Sequence, residues 1–191
     1  FDNALKLVES SIDLENDLAI VLHQEEWHPG VIGIVASRLV EKYYRPTIML
    51  TTIDGIAKGS ARSINNFNIY EALQKCEHLL IHFGGHQAAA GLAVELDKVQ
   101  DFKDKFNQIV KESITGSDLF PEIIIDSKIK LSEITPKFLR ILDQFAPFGP
   151  ENMRPVFLTE GVELSNSPRL VGNNHLIACF KQNGNDKIFD S

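Results

Sequence analysis

The stretch KGSARS, residues 58–63, spaces an ammonium, a hydroxyl and a guanidinium two residues apart. In a strand, alternate residues share a face. Lys58, Ser60 and Arg62 then point one way, and Gly59, Ala61 and Ser63 the other. That face is a set of donors suited to a phosphate, with the arginine able to bind two oxygens at once. Gly59 and Ala61 leave the opposite face free to pack closely. The same pattern also fits a solvated edge strand with ordinary surface charges.

A second stretch, FGGHQAAAGLAV at 83–94, surrounds His86 with residues that have almost no side chain. Gly84 and Gly85 read as a turn. Glycine permits positive φ and close approach of the backbone to a ligand. Successive N–H groups in such a turn cradle an anion, and a histidine there donates to phosphate or moves a proton. A tight turn with a packed histidine fits the same letters. A third stretch, EEWHPG at 25–30, places His28 at a helix start, where N–H groups and the helix dipole favour anions. Trp27 beside it is either a stacking platform for a base or a structural tryptophan.

Metal chemistry has little to work with. His28, His82 and His86 with Cys76 or an acid are the only conceivable zinc set, and no HExxH or CxxC accompanies them. There is no two-carboxylate metal set of the kind that cleaves phosphodiesters. The expectation is groups that bind a phosphate, no catalytic residue and no metal ligand.

The elements that must position these residues follow from periodicity. Residues 4–12 read as the tail of a helix and DLAIVLH, 17–23, as a buried strand. A helix then starts at Pro29, a good first-turn residue, with Val31, Ile32, Val35, Ala36 and Leu39 as its apolar face. RPTIMLTT (45–52) and GIAKGSARS (55–63) are strands, the latter broken at Gly59. NIYEALQKCEHLL (68–80) is helical, with Ile69, Leu73 and Cys76 or Leu80 inward. After the GGH turn, GLAVE is a strand. Asp97 opens a helix to about Ile114 whose inner face is Val99, Phe102, Phe106, Ile109 and Val110.

Composition shifts at TGSDLFP, 115–121, a linker. Beyond it EIIIDSKIKL, VFLTEGVEL, PRLVG and HLIACFK read as strands. TPKFLRILDQF is a helix capped by Thr135, and Asn183–Gly184 is a hairpin turn. The fold class is therefore α/β, a mixed sheet flanked by helices over 1–116, followed over 117–191 by a partial β-rich barrel.

The chain has 191 residues, 43% hydrophobic and 24% charged, with a net charge of −7. Such a chain affords a core. The acidic balance argues against a general electrostatic grip on nucleic acid and leaves room for one local basic pocket. No apolar run is long enough to span a membrane, and no charged-then-apolar stretch marks a secretory signal. Two distant cysteines give no disulfide framework, so a reducing, cytoplasmic setting is expected. Phe1 begins without Met and the end at DKIFDS stops inside a strand pattern, so a fragment of a longer protein is expected.

Taken together, WHPGVIGIVASRLVEKYYRPTIML, KGSARSI and FGGHQAAAGLAV, in this order, resemble the DHH-associated domain of DHH-family phosphoesterases. LDQFAPFGPENMRPVF resembles the segment that leads into an OB-type barrel in the single-stranded-DNA-specific exonucleases of that superfamily. Glu151 departs from the small or glycine residue that the pattern leads one to expect. The resemblance implies the substrate-binding part of a 5′-to-3′ exonuclease of DNA repair and recombination. Its Mn²⁺ or Mg²⁺ would sit on a DHH domain that is absent here, so the fragment alone would be inactive. It implies single-stranded DNA and that DHH domain as partners, with a single-stranded-DNA-binding protein or a helicase as further ones. Ser60, Arg62 and His86 would face the 5′-terminal nucleotide and its phosphate, with Gly84 and Gly85 letting the backbone approach. Lys58 joins them on the strand argument, and His28 on the helix-start argument. Two alternatives stay open: a phosphodiesterase for short oligonucleotides or cyclic dinucleotides, and a non-catalytic module that binds nucleic acid or a protein.

Overall fold

The computed structural model describes residues 1–149, 151–172, 175–182 and 185–190. Residue contacts divide the chain into two compact units, Phe1–Pro121 and Glu122–Ser191. In the first, the order is helix α1 (Asp2–Ser11), strand β1 (Ile20–His23), α2 (Pro29–Tyr43), β2 (Thr47–Ile53), β3 (Ile56–Arg62), α3 (Ile69–Lys75), β4 (Leu80–His86), β5 (Ala89–Glu95) and α4 (Val99–Ser113).

The five strands form one sheet in the order β1-β2-β3-β5-β4. β1 and β2 run parallel across the α2 crossover, and every other pair is antiparallel. The β2–β3 hairpin turns at Asp54–Gly55, both at positive φ (53° and 77°), the turn that matches strand twist. Each face of the sheet has its own core. Ile20, Leu22 and Met49 pack with Ala4 and Val8 of α1 and Ile32, Ala36 and Leu39 of α2. Ile48, Leu50, Ala57, Ala61, Leu92 and Val94 pack on the other face with Ile69 and Leu73 of α3 and Phe102, Phe106 and Val110 of α4. The mixed sheet flanked by helices is thus present.

Several expectations need correction. Gly59 does not break β3, which runs through it. A Cβ there would sit 2.4 Å from Leu50 Cδ2 and 2.9 Å from the Met49 carbonyl oxygen, so glycine serves packing inside the sheet. Val31 is 48% exposed because the buried stripe of α2 is the narrower Ile32, Ala36, Leu39. The helix at 68–80 ends at Lys75; a short 3₁₀ turn, Glu77–Leu79, leads into β4. The expected linker is partly structured, with a 3₁₀ turn at Gly116–Leu119 and Leu119 packed against the first unit's core.

The second unit is built from short strands. They are β6 (Ser127–Lys128), β7 (Phe157–Leu158), β8 (Val162–Leu164), β9 (Arg169–Val171), β10 (His175–Ile177), β11 (Cys179–Gln182) and β12 (Asn185–Asp190), with helix α5 (Pro136–Asp143) after β6. β8, β11 and β12 form an antiparallel sheet, β9 pairs with β10, and β6 pairs with β7 in parallel. Thr135 Oγ1 accepts from the Phe138 N–H at 3.1 Å, the cap expected of α5. Of EIIIDSKIKL only Ser127–Lys128 is strand, and Ile123 and Ile124 are exposed. VFLTEGVEL splits into β7 and β8, with Gly161 at φ 65° between them. HLIACFK also divides, into β10 and β11. The Asn183–Gly184 turn lies outside the described residues. Glu151, the departure from the family pattern, has φ 67°, a conformation in which a small residue is at ease.

Candidate nucleic-acid interface

The antiparallel register of β3, β5 and β4 lines up three rows of residues on one face of the sheet. They are Arg62–Ala89–His86, Ser60–Gly91–Gly84 and Lys58–Ala93–His82. Directly opposed residues of antiparallel strands share a face, so all nine lie on the α2 side. Helix α2 packs on β2 and β3, and beyond it the face over β5 and β4 is floored by alanine and glycine. A Cβ on Gly84 would meet nothing within 4 Å, and one on Gly91 only the Gly59 carbonyl oxygen, at 3.9 Å. Internal packing does not require either glycine. They leave a shallow floor of backbone, with Lys58, Ser60 and Arg62 on one flank and His82 and His86 on the other.

The β3 flank is the more constrained. Arg62 Nη1 donates to Ser60 Oγ at 2.8 Å and to the Ala61 carbonyl at 2.8 Å. A Cβ on Gly33 of α2 would stand 2.8 Å from Arg62 Nη2 and 3.1 Å from Ser60 Oγ. The helix therefore presents bare backbone where the guanidinium passes. Lys58, Ser60 and Arg62 share a pocket of about 420 Å³ with Pro29, Gly30 and Gly33 of the first turns of α2. Among the described residues the ion pairs join other groups, and neither Lys58 nor Arg62 has a carboxylate partner. Two cations without a carboxylate partner beside a hydroxyl, in a chain of net charge −7, are the kind of donors an anion requires.

His86 and His28 are held in the same way. His86 Nδ1 accepts from the Ala88 N–H at 3.3 Å, and His28 Nδ1 from the Gly30 N–H at 3.0 Å. In the neutral ring this hydrogen bond places the proton on Nε2, so each exposed imidazole offers a donor. His28 caps α2, as expected of the helix start. Neither it nor Gly84, Gly85 or His86 is among the residues that line the pocket with Arg62.

The expected GGH turn is not a turn. Gly84, Gly85 and His86 belong to β4, and the chain reverses at Gln87–Ala88. Successive N–H groups of a strand point to opposite sides, so these two glycines cannot converge neighbouring N–H groups on one anion. Gly85 has φ 150°, and a Cβ there would lie 2.4 Å from the Ala89 carbonyl oxygen. Its close approach is to its own hairpin partner. Trp27 Nε1 donates to Asn3 Oδ1 at 2.9 Å and its ring packs on the α1–α2 core, so of the two readings the structural one holds.

Reading GGH as a turn also hid His82. As a strand residue it shares parity with Gly84 and His86, a signal present in the letters. Gly91 and Gly33 were missed because only the register and the helix crossing show what they face. The zinc set does not assemble. Cys76 is buried in the core on the opposite face from His82 and His86, and among the described residues no three His, Cys, Asp or Glu form a metal group. Burial pushes the Cys76 thiol up to about 11, which keeps it from acting as a nucleophile near neutrality.

The mixed sheet with its flanking helices is the fold of a known class. The profile of the DHHA1 domain matches residues 16–112 and that of the RecJ OB domain residues 125–190. The chain belongs to the DHHA1 domain family. Similar proteins include the single-stranded-DNA-specific exonuclease RecJ of Bacillus subtilis, 38% identical over 175 residues, 90% of this chain and 22% of that protein. The protein of the same name from Escherichia coli is 35% identical over 190 residues, 97% of this chain and 32% of its own length. The crystal structure of RecJ in complex with Mg²⁺ from Thermus thermophilus matches with a TM-score of 0.75 at 30% identity, over 96% of this chain and 28% of that one. The chain thus spans no more than about a third of the length of these relatives.

Proposed function

We propose that this chain is the substrate-binding part of a RecJ-type 5′-to-3′ exonuclease specific for single-stranded DNA, acting in repair and recombination in the cytoplasm. Residues 1–116 are its DHH-associated domain and 117–191 an OB-like nucleic-acid-binding domain. The observation that carries this reading is the pair of unpaired cations, Lys58 and Arg62, beside Ser60 and a bare glycine floor. The 5′-terminal phosphate sits against Ser60 and Arg62. His86 donates from across the floor, Gly84 leaves room for the nucleotide, and Gly85 fixes the hairpin that carries His86. Lys58 and His28 flank the site. The reading favours an exonuclease over a short-substrate phosphodiesterase because residues 125–190 match an OB domain named for RecJ.

The chain's own residues bind and orient; cleavage belongs elsewhere. RecJ of Thermus thermophilus has been crystallised with Mg²⁺ and with Mn²⁺. The described residues do not fit such an ion, since no metal donor group forms among them. Hydrolysis is assigned to a separate metal-bearing domain of the whole protein, and the fragment alone is inactive. Single-stranded DNA and that domain are its partners, with a single-stranded-DNA-binding protein or a helicase beyond them. Replacement of Arg62 by alanine removes a charge-assisted bond, and the affinity for a 5′-phosphorylated oligonucleotide falls by about 1.5–3 kcal/mol. Titration calorimetry measures it, and unchanged affinity overturns the assignment.

A further inference from the structure

The floor continues past the proposed end-binding row. Four residues along β3 from Arg62, a distance of roughly 13 Å, Lys58 stands in register with Ala93 and His82. Lys58 and His82 lie two strands apart, roughly 10 Å between backbones, with Ala93, itself buried, on the strand between them. Among the described residues neither side chain has an ion pair or a hydrogen-bond partner, and His82 is exposed. The next row on the same face is Ile56–Glu95, where Glu95 is bound by Lys98 at 2.5 Å. The next row therefore adds no free donor, since it holds only Ile56 and a carboxylate already paired with Lys98.

We infer that Lys58 and His82 form a second phosphate contact, taking a later phosphate of the same single strand whose 5′ end lies at Arg62 and His86. This rests on the end-binding reading above and gives the strand a direction: its backbone runs along β3 and β4 over Gly91 and Gly84, toward Lys58 and away from the Gln87–Ala88 turn. A cation and an imidazole in one register row, with an alanine on the strand between, repeat the row of Arg62, Ala89 and His86. The glycine row between them leaves the space that the intervening nucleotide occupies.

The test uses the complete natural chain with a chelator present, so that no hydrolysis occurs. Binding of thymidine 5′-monophosphate is compared with that of 5′-phosphorylated hexathymidylate for the wild type, His82→Ala, Lys58→Ala and Arg62→Ala, with His82→Asn as a second variant and thermal melts to confirm folding. The expected result is a loss of roughly tenfold for the hexamer on changing His82 or Lys58, the size of one hydrogen bond to a charged group. On changing His82 the mononucleotide loses less than about twofold, because His82 stands outside the first row and outside the pocket that Lys58 shares with Arg62, whereas Arg62→Ala weakens both ligands. If the His82 variants bind the hexamer like the wild type while Arg62→Ala does not, the second contact is overturned and the end-binding reading stands. Equal losses on both ligands also overturn it, because His82 would then act on the first row. If Arg62→Ala binds both ligands like the wild type, the end-binding reading falls and the inference with it.

Discussion

Arg62 is the residue on which most of the site converges, and its placement depends on a missing side chain. Gly33 lets α2 pass within contact of the guanidinium. The flexible end of an arginine yields easily to a methyl group, so Gly33→Ala is expected to fold well. Alanine in a helix interior is better than glycine by about 0.8–1 kcal/mol. The displaced guanidinium leaves Ser60, and affinity for a 5′-phosphorylated oligonucleotide falls several-fold while the melting temperature holds or rises. Loss of both together would show that Gly33 serves packing instead. Cys76 makes a separate prediction. Its folded thiol keeps its proton up to about 11, against an ordinary 9.0, while the unfolded chain releases it earlier. Unfolding free energy is therefore unaffected below pH 9 and falls as pH rises through 9 to 11, by about 2 kcal/mol in all. Cys76→Ala loses that slope, which denaturant titrations at pH 8, 9.5 and 11 measure. At this scale the sequence was most readable: alternation alone set Lys58, Ser60 and Arg62 on one face, and they share one pocket.

Strand and turn are where the letters misled. Glycine is depleted in strands, so Gly59 reads as a break and Gly84–Gly85 as a turn, yet both lie within strands of the same sheet. What overrides propensity is the partner strand. Gly59 is squeezed between Leu50 and Leu92, and Gly85 against Ala89 and Ala90, and none of these neighbours can be found from local sequence. Gly59→Ala places a methyl group against the Met49 carbonyl, which is backbone and cannot swing aside. The cost is about 1–3 kcal/mol of stability, seen as a lower melting temperature, and a wild-type melt would contradict the packing role. The apolar helices, by contrast, were legible: the inner face of α4 is the expected Val99, Phe102, Phe106, Ile109 and Val110. The isoleucine-rich run EIIIDSKIKL in the second unit reads as a strand and is mostly not one, since pairing needs a partner as well as β-branched residues.

For the whole molecule, the proposed nucleic-acid function is compatible with an acidic chain because it asks for only a few cations without carboxylate partners. A net charge of −7 repels a strand at long range, and on the proposed reading attraction is concentrated at Lys58, Ser60 and Arg62 of β3. Among the described residues no helix is long and apolar enough to cross a membrane. Residues 16–112 match the DHHA1 domain and residues 125–190 the RecJ OB domain, the two domains on which the proposed reading rests. The central claim is that recognition depends on a terminal phosphate. The most direct measurement compares binding of 5′-phosphorylated and 5′-hydroxyl single-stranded oligonucleotides of the same sequence, at two salt concentrations. The phosphorylated strand is expected to bind about tenfold tighter or more, with the preference surviving at the higher salt. Equal affinities that both collapse as salt rises would contradict an end-binding pocket and point to a nonspecific track.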